Sequence, residues 1–345
     1  MSDKGAEIEV RMMRRGEQGE LLAFMKANLD TYGGFENLWN WRQDRQEISG
    51  GETAAIAKQN GKIVGCVFIV PAALTLNGKR IKGSWQQDSL VLRAMRGKGL
   101  GKKLVQEGTK GWNLVMAKGT SEAMYRLRKS MGFSDAPNSD YLVRVEKPRI
   151  NKREVKKSAV EIGLFFWKMV FPSQNVGKKI EVKPVESFDK SFDGLAERVS
   201  EKAGLRVYKG QQYLNWRYAE CPGKSYRILR AGGQEARGAI VLNVTGAIAD
   251  EGWIVDMICP ADDLECALAL VREGLRYFRE RKAARIYVFA TMAEARKWFR
   301  RFGFVATGRS PRFTYKVCGE GIDPGALTAR SWDFWHGDGD VELYM

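Results

Sequence analysis

Histidine is almost missing from this chain of 345 residues: there is one, His336. Mechanisms that need two imidazoles, including His-rich zinc and copper sites, are thereby excluded, and a Ser-His-Asp triad would have to use His336. Cysteine is scarce too. Cys66, Cys221, Cys259, Cys266 and Cys318 are odd in number and form no CxxC, which argues for free thiols in a reducing compartment. No apolar run is long enough to span a bilayer, and MSDKGAEIEVRMMRR at the start has no apolar core of a signal peptide. The expectation is a cytoplasmic protein without a metal.

What is abundant is positive charge. Lys and Arg number 57 against 41 Asp and Glu, a net +16. Such a surplus favours anionic partners (nucleic acid, an anionic membrane face, a phosphorylated ligand) without choosing among them. Length and the globular proportions of 44% hydrophobic and 28% charged residues predict two domains.

Both halves alternate strand and helix signals. In the first, β-rich runs at 8–13, 53–58 and 63–70 surround Asn60-Gly61, a strong hairpin turn because both positions favour positive φ. A second Asn-Gly, Asn77-Gly78, separates 74–76 from 79–82, and 85–92 follows as a strand. Helical spacing covers 17–29, 99–112 and 121–130, and 141–145 reads as a closing strand. The second half predicts helices at 188–203, 264–282 and 292–301, and strands at 225–231, 238–244, 253–258, 285–289 and 313–317. The halves share an ending, MYRLRKSMGF at 124–133 and ARKWFRRFGF at 295–304, which suggests an internal duplication.

The most informative run is Leu90-Val91-Leu92 followed by Arg96-Gly97-Lys98-Gly99-Leu100-Gly101-Lys102. A strand leads into a glycine-rich turn that opens a helix. Glycines let backbone approach a ligand closely, and the first helical N–H groups with the helix dipole favour phosphate. The spacing is neither that of a P-loop nor a convincing Rossmann fingerprint. It resembles the pyrophosphate motif R/Q-x-x-G-x-G/A of the GNAT (GCN5-related N-acetyltransferase) superfamily. The Gly132-Phe133 ending matches that family's second recurring feature.

The resemblance implies an α/β (α+β) fold of two tandem GNAT-like lobes, each a mixed, mostly antiparallel sheet flanked by helices. The expected division is 1–147 for the acetyl-CoA-binding domain, 148–183 for a basic connector with a short apolar helix, and 184–345 for a GNAT-like domain without the pyrophosphate loop. It further implies that backbone N–H groups from Gly97 to Lys102, with Arg96 beside them, hold the pyrophosphate of acetyl-CoA. Leu90, Val91 and Leu92 would pair with the pantetheine arm, and Ser121 completes the cofactor set. The implied chemistry is direct attack of a neutral amine on the thioester, with a base to take its proton and an acid for the departing thiolate. Asp88 is the first candidate base and Glu122 the second. Many family members carry a Tyr four residues before the Gly of Gly-Phe. Here that position is Arg128, with Tyr125 three residues earlier on nearly the same helix face. Tyr125 or water would serve as acid, Arg128 would stabilise the thiolate, or transfer has been lost.

In the second half Cys259-Pro260-Ala261-Asp262-Asp263 stands where the glycine loop would be. Two carboxylates there repel a pyrophosphate and suit helix N-caps. Tyr213-Leu214-Asn215-Trp216-Arg217-Tyr218 fits a lobe interface or a polar acceptor. Trp332-Asp333-Phe334-Trp335-His336-Gly337-Asp338-Gly339-Asp340 either anchors the C-terminus or binds a cation or hydroxyls. The connector around Phe165, Phe166 and Trp167 is a solvated linker, a peripheral membrane contact through 159–172, or less readily a nucleic-acid contact. The expected activity is acyl transfer from acetyl-CoA to a small amine, amino sugar or cell-envelope precursor. The rivals are an aminoacyl-tRNA-dependent peptidoglycan-bridge-type transferase and a non-catalytic acyl-CoA-binding protein.

Overall fold

A computed structural model describes residues 7–29, 35–44, 53–149, 155–170, 180–202, 204–245, 250–328 and 332–339. The chain begins β1 (Ile8–Met12), α1 (Gln18–Asn28), α2 (Phe35–Asp44), β2 (Thr53–Gln59), β3 (Lys62–Leu76) and β4 (Lys79–Val91). It continues α3 (Leu100–Glu107), β5 (Leu114–Ala117), α4 (Glu122–Ser130), β6 (Ser134–Asp135) and β7 (Leu142–Val145). Then come α5 (Val155–Trp167), β8 (Val182–Val185), α6 (Ser191–Lys202), β9 (Leu205–Val207), α7 (Gln211–Leu214), β10 (Arg227–Ala231) and β11 (Gly238–Thr245). The last elements are β12 (Glu251–Ile258), α8 (Leu264–Glu280), β13 (Arg285–Val288), α9 (Ala293–Arg300), β14 (Val305–Ala306), β15 (Thr314–Val317) and β16 (Trp332–Asp333).

Two compact units result, neither contiguous in sequence. The described residues of the first fall within 1–73, 81–135 and 312–324, and those of the second within 74–80, 136–311 and 325–345. The first sheet runs β1-β2-β3-β4-β5-β15-β6 and the second β14-β7-β13-β12-β11-β10-β8. Each is mostly antiparallel with a parallel pair at its middle, β4 with β5 and β12 with β13; off the path of the first, β9 pairs antiparallel with β3 and parallel with β16. A helix of the right length for a crossover, α3 or α8, joins each parallel pair. The duplication expected from the shared Gly-Phe endings is thus present as a repeated sheet plan.

The boundaries at 147 and 184 need correction. β7, expected to close the first sheet, pairs antiparallel with β13, Leu142 opposite Val288 through Val145 opposite Arg285. β15, expected to close the second, pairs with β5 in the first, Thr314 opposite Ala117 through Val317 opposite Leu114. The closing strands are exchanged. A short apolar strand declares in its pattern that it will be paired, but not with which edge. The two Asn-Gly turns behave as expected, with φ of 51° and 76° at Asn60 and Gly61 and 50° and 77° at Asn77 and Gly78. The strands at 63–70 and 74–76 are one continuous β3, and those at 79–82 and 85–92 one β4. The tip of this hairpin belongs to the second unit, where Leu74, Thr75 and Leu76 pair with Val207, Arg206 and Leu205.

Helix α2 has no counterpart in the sequence reading; its Trp39 packs edge-on against Phe68 at 5.3 Å. One face of the first sheet is covered by α1 through Leu21, Phe24 and Met25. The other face is covered by α3 through Leu100, Leu104 and Val105. In the second unit α8 buries nearly its whole inner face, from Cys266 to Phe278.

Candidate functional site

Strands β4 and β5 pair only at Gly83–Trp85, opposite Leu114–Met116. β5 ends one residue later, at Ala117, while β4 runs on to Val91. The two therefore part, and the far end of β4 offers backbone to something other than β5. Asp88 lies in this free stretch with φ of +41°, in the left-handed region that a non-glycine residue occupies at some cost. A positive φ there interrupts the regular alternation of side chains along β4. Gly65 of β3 lets this happen at close quarters: a Cβ there would meet Leu104 Cδ1 at 3.1 Å and the Leu90 carbonyl oxygen at 3.2 Å.

After β4 the chain makes a single 3-10 turn, Arg93–Met95, and enters the glycine loop. Gly97 and Gly99 have φ of +79° and +73°, and a Cβ at either meets nothing within 4 Å. Glycine is required there by conformation, and the space in front of it is open. Gly99 is the N-cap of α3, with no side-chain cap. The first helical bond runs from the Lys103 N–H to the Gly99 carbonyl at 3.3 Å. The N–H groups of Leu100, Gly101 and Lys102 therefore precede the helix ladder and remain to be satisfied. Arg96 folds back, its Nε donating to the Val91 carbonyl at 3.1 Å. Lys98, Lys102 and Lys103 are exposed and make no ion pair among the described residues. This open helix start, built mainly of backbone with three exposed lysines beside it, has the donors and charge that would fit a pyrophosphate.

The remaining candidates sit on α4. Ser121 is its N-cap, the hydroxyl accepting from the Met124 N–H at 3.3 Å. Tyr125 donates its hydroxyl to Asp135 at 3.2 Å, and that carboxylate also pairs with Lys129 at 3.0 Å. The Asp135 contact holds the phenol above its ordinary pKa, so it is neutral and protonated at neutral pH. Arg128 is 1% exposed. Its Nη2 donates to Gln86 Oε1 at 3.4 Å and its guanidinium lies 6.0 Å from the Phe133 ring. Its Nε has no partner, and burial lowers its pKa to about 10. Glu122 pairs with Arg126 at 2.8 Å and Arg312 at 3.0 Å, which ties it to the surface of this helix start.

The structure thus brings Arg128 against β4 two residues before Asp88, and it turns Tyr125 toward Asp135. Gln86 was missed by sequence reasoning. It joins Arg128 to α3, its Nε2 donating to the Val105 carbonyl at 3.1 Å. Only its place next to the end of the parallel pairing marks it, and that place is invisible without the sheet. Its neighbour Gln87 has a buried Oε1 without a partner.

The second unit has the same outline and a different content. β12 pairs with β13 over Glu251–Ile254 and then continues alone to Ile258. Here the C-terminal segment fills the gap. Gly337 N–H donates to the Val255 carbonyl at 2.8 Å, Thr291 N–H donates to the Phe334 carbonyl at 2.9 Å, and Trp335 bridges Ala290. Trp332 and Trp335 are buried, and His336 stacks on Trp253 with ring centroids 4.5 Å apart. Lys209, fully enclosed, reaches Asp256 at 2.7 Å and Asp338 at 3.0 Å. Burial works against its charge, and the two carboxylates more than offset this, so its pKa is raised. The Tyr213–Tyr218 motif serves the same segment: Tyr218 donates to Asp256 at 2.5 Å, and Arg217 donates to the Gly337 and Gly339 carbonyls. It belongs to the interior of the second unit. Asp263 caps α8 as expected, accepting from the Cys266 N–H at 3.1 Å.

Residues 21–111 match the family model described as the acetyltransferase (GNAT) family. Among solved structures, the GCN5-related N-acetyltransferase from Anabaena variabilis superposes with a TM-score of 0.64 at 10% identity, over 91% of this chain and 73% of that one. The corresponding protein from Kribbella flavida gives 0.60 at 12% identity, over 91% and 71%. A tandem GNAT protein from the clavulanic acid biosynthesis pathway gives 0.51 at 11% identity, over 92% of this chain and all of that one. Curated protein sequences give no match. The chain carries the GNAT fold in tandem, and its first unit bears the sequence signature of that family.

Proposed function

We propose that the chain is an N-acyltransferase that takes the acetyl group of acetyl-CoA and transfers it to a small amine, an amino sugar or a cell-envelope precursor. The observation that supports this most is the free end of β4 leading into a glycine cradle with unspent N–H groups, present in the first unit alone. In this reading Leu90–Leu92 offer backbone to the pantetheine arm, and Gly97–Lys102 hold the pyrophosphate. When bound, acetyl-CoA supplies an activated acyl thioester. Asp88, on the free stretch of β4, takes the proton of the acceptor amine. The charged Arg128 guanidinium stabilises negative charge on the departing sulfur, and the neutral Tyr125 phenol is the alternative proton source.

The test is calorimetric titration with acetyl-CoA, alongside turnover on an amine panel. Saturation is expected at one acetyl-CoA per chain. Gly99→Glu puts a carboxylate and a strained φ into the cradle, and affinity should fall about 100-fold or more, roughly 2.7 kcal/mol. Its melting temperature checks that the fold survives. Undiminished affinity would move the site away from this loop. The buried Arg128, in the position that the resemblance gives to a phenol, favours one rival, a non-catalytic acyl-CoA-binding protein. Tight binding with no turnover on any amine would establish that rival.

A further inference from the structure

Helix α5 leaves exposed several large apolar side chains that an ordinary surface helix would turn inward. Its inner side carries Ser158, which is buried, and Glu161, which ion-pairs with Arg285 and accepts from the Arg149 N–H at 2.6 Å. Beyond the two lysines of its first turn, its outer side is mostly apolar. On α5 Val160 is 62% exposed, Phe166 59%, Trp167 46% and Ile162 36%, and on the 3-10 turn that follows it, Lys168–Val170, Met169 is 60% and Val170 67% exposed. Every large hydrophobic side chain that stands exposed among the described residues lies in this one span of 160–170. A concentration of that kind marks a surface that meets something apolar.

Charge narrows the choice. Trp167, Val170, Phe304, Val305 and Ala306 line an open groove of about 650 Å³. Lys297, Arg300 and Arg301 line the same groove. Arg300 and Arg301 make no ion pair among the described residues, and Lys297 reaches only Glu294 of its own helix, at 3.7 Å. Exposed Lys156 and Lys157 stand on the first turn of α5. The apolar row is therefore bordered by cations.

We propose that this face docks on an anionic lipid bilayer. Phe166, Trp167, Met169 and Val170 enter the acyl boundary, and Lys156, Lys157, Lys297, Arg300 and Arg301 meet the lipid phosphates. A second copy of the chain is disfavoured, because a symmetric contact would set these cations against each other. Nucleic acid is disfavoured because Val160, Ile162, Met169 and Val170 have no ring on which a base stacks. Among the described residues no helix is long and apolar enough to cross a membrane, so the contact is peripheral. The inference is independent of the acyl-transfer reading.

The experiment is co-sedimentation of the full chain with vesicles of phosphatidylcholine containing about 30% phosphatidylglycerol, and with pure phosphatidylcholine vesicles. Binding is expected to the anionic vesicles, weaker by about tenfold or more on the neutral ones, and weakened again between about 0.1 and 0.5 M salt. The double variants Phe166→Ser/Trp167→Ser and Arg300→Glu/Arg301→Glu should each lose about tenfold in affinity with an unchanged melting temperature, since all four side chains are exposed. Val170→Asp offers a single substitution with the same expected sign. No sedimentation, equal sedimentation with both vesicles, or full binding by both double variants would overturn the proposal. So would a dimer in solution that Phe166→Ser/Trp167→Ser dissolves while vesicle binding is absent, or binding of duplex nucleic acid that the vesicles fail to displace.

Discussion

In the first unit β4 outruns β5, and the helix that follows starts at Gly99 with no side-chain cap. In the second, β12 outruns β13 in the same way, but the helix starts at Asp263, whose carboxylate already accepts from the Cys266 N–H and pairs bidentately with Arg237 at 2.8 and 3.0 Å. The carboxylate satisfies the helix start by the same chemistry that would hold a phosphate at an uncapped one. Asp88 and Asp256 extend the contrast. Both stand just beyond the end of a parallel pairing. Asp88 is half-buried at a positive φ, whereas Asp256 is wholly enclosed and bonded to Lys209 and Tyr218. The sheet plan alone creates the gap between diverging strands; what fills the gap decides whether it is a site or an interior.

The largest effect is expected where the filling is anchored. Lys209→Met leaves Asp256 and Asp338 buried without their cation. Removing one partner from such a group costs about 3–5 kcal/mol. Urea denaturation should show the second unit losing stability of that order while acetyl-CoA affinity, measured below the transition, is unchanged. A loss below about 1 kcal/mol would mean that the C-terminal segment is held by its tryptophans and not by this charge cluster.

Much of this contrast was legible in the residues. The glycines at 97, 99 and 101 and the acidic pair at 262 and 263 are opposite signals at equivalent places, because a positive φ and a helix cap each demand particular residue types. The Asn-Gly turns were legible for the same reason. The strand exchange was not, since β7 and β15 have interchangeable short apolar patterns and pairing across long separations leaves no local mark. Nor was the role of the tail: its tryptophans and Asp338 read equally as anchors or ligands until Lys209, 129 positions earlier, is placed beside them. On α4, the burial of Arg128 could not be read because a basic amphipathic helix normally turns its cations outward.

Arg128 sharpens the comparison by predicting the opposite sign for the same replacement. It is buried with one long hydrogen bond, to Gln86, and no carboxylate partner among the described residues. Folding therefore disfavours its charge. Arg128→Met should stabilise the apo protein by about 1–3 kcal/mol, seen as a raised melting temperature, while lowering turnover about tenfold or more with KM for the amine unchanged. If the melting temperature instead falls, the direction expected for Lys209→Met, then Arg128 is a packing residue and the functional reading of its position fails. Arg128→Lys, which keeps a charge, should restore part of the turnover and none of the gain in stability.

The smallest effect tests whether the second gap is closed by its cap or by its filling. Asp263→Ala removes the N-cap of α8 and its pair with Arg237, at a cost of about 1 kcal/mol. It also frees the first N–H groups of α8 and removes the repelling carboxylate. If the cap alone excluded acetyl-CoA, the variant would gain a second, weak binding event. The filling argues otherwise: Gly337 still bonds Val255, and Phe334 still bonds Thr291, so β12 has no backbone to offer a pantetheine arm. Calorimetric stoichiometry should stay at one acetyl-CoA per chain, with the small loss of stability as the only change. A stoichiometry near two would show that the tail yields to a ligand once the helix start is uncovered, and the two units would then differ in one carboxylate more than in their architecture.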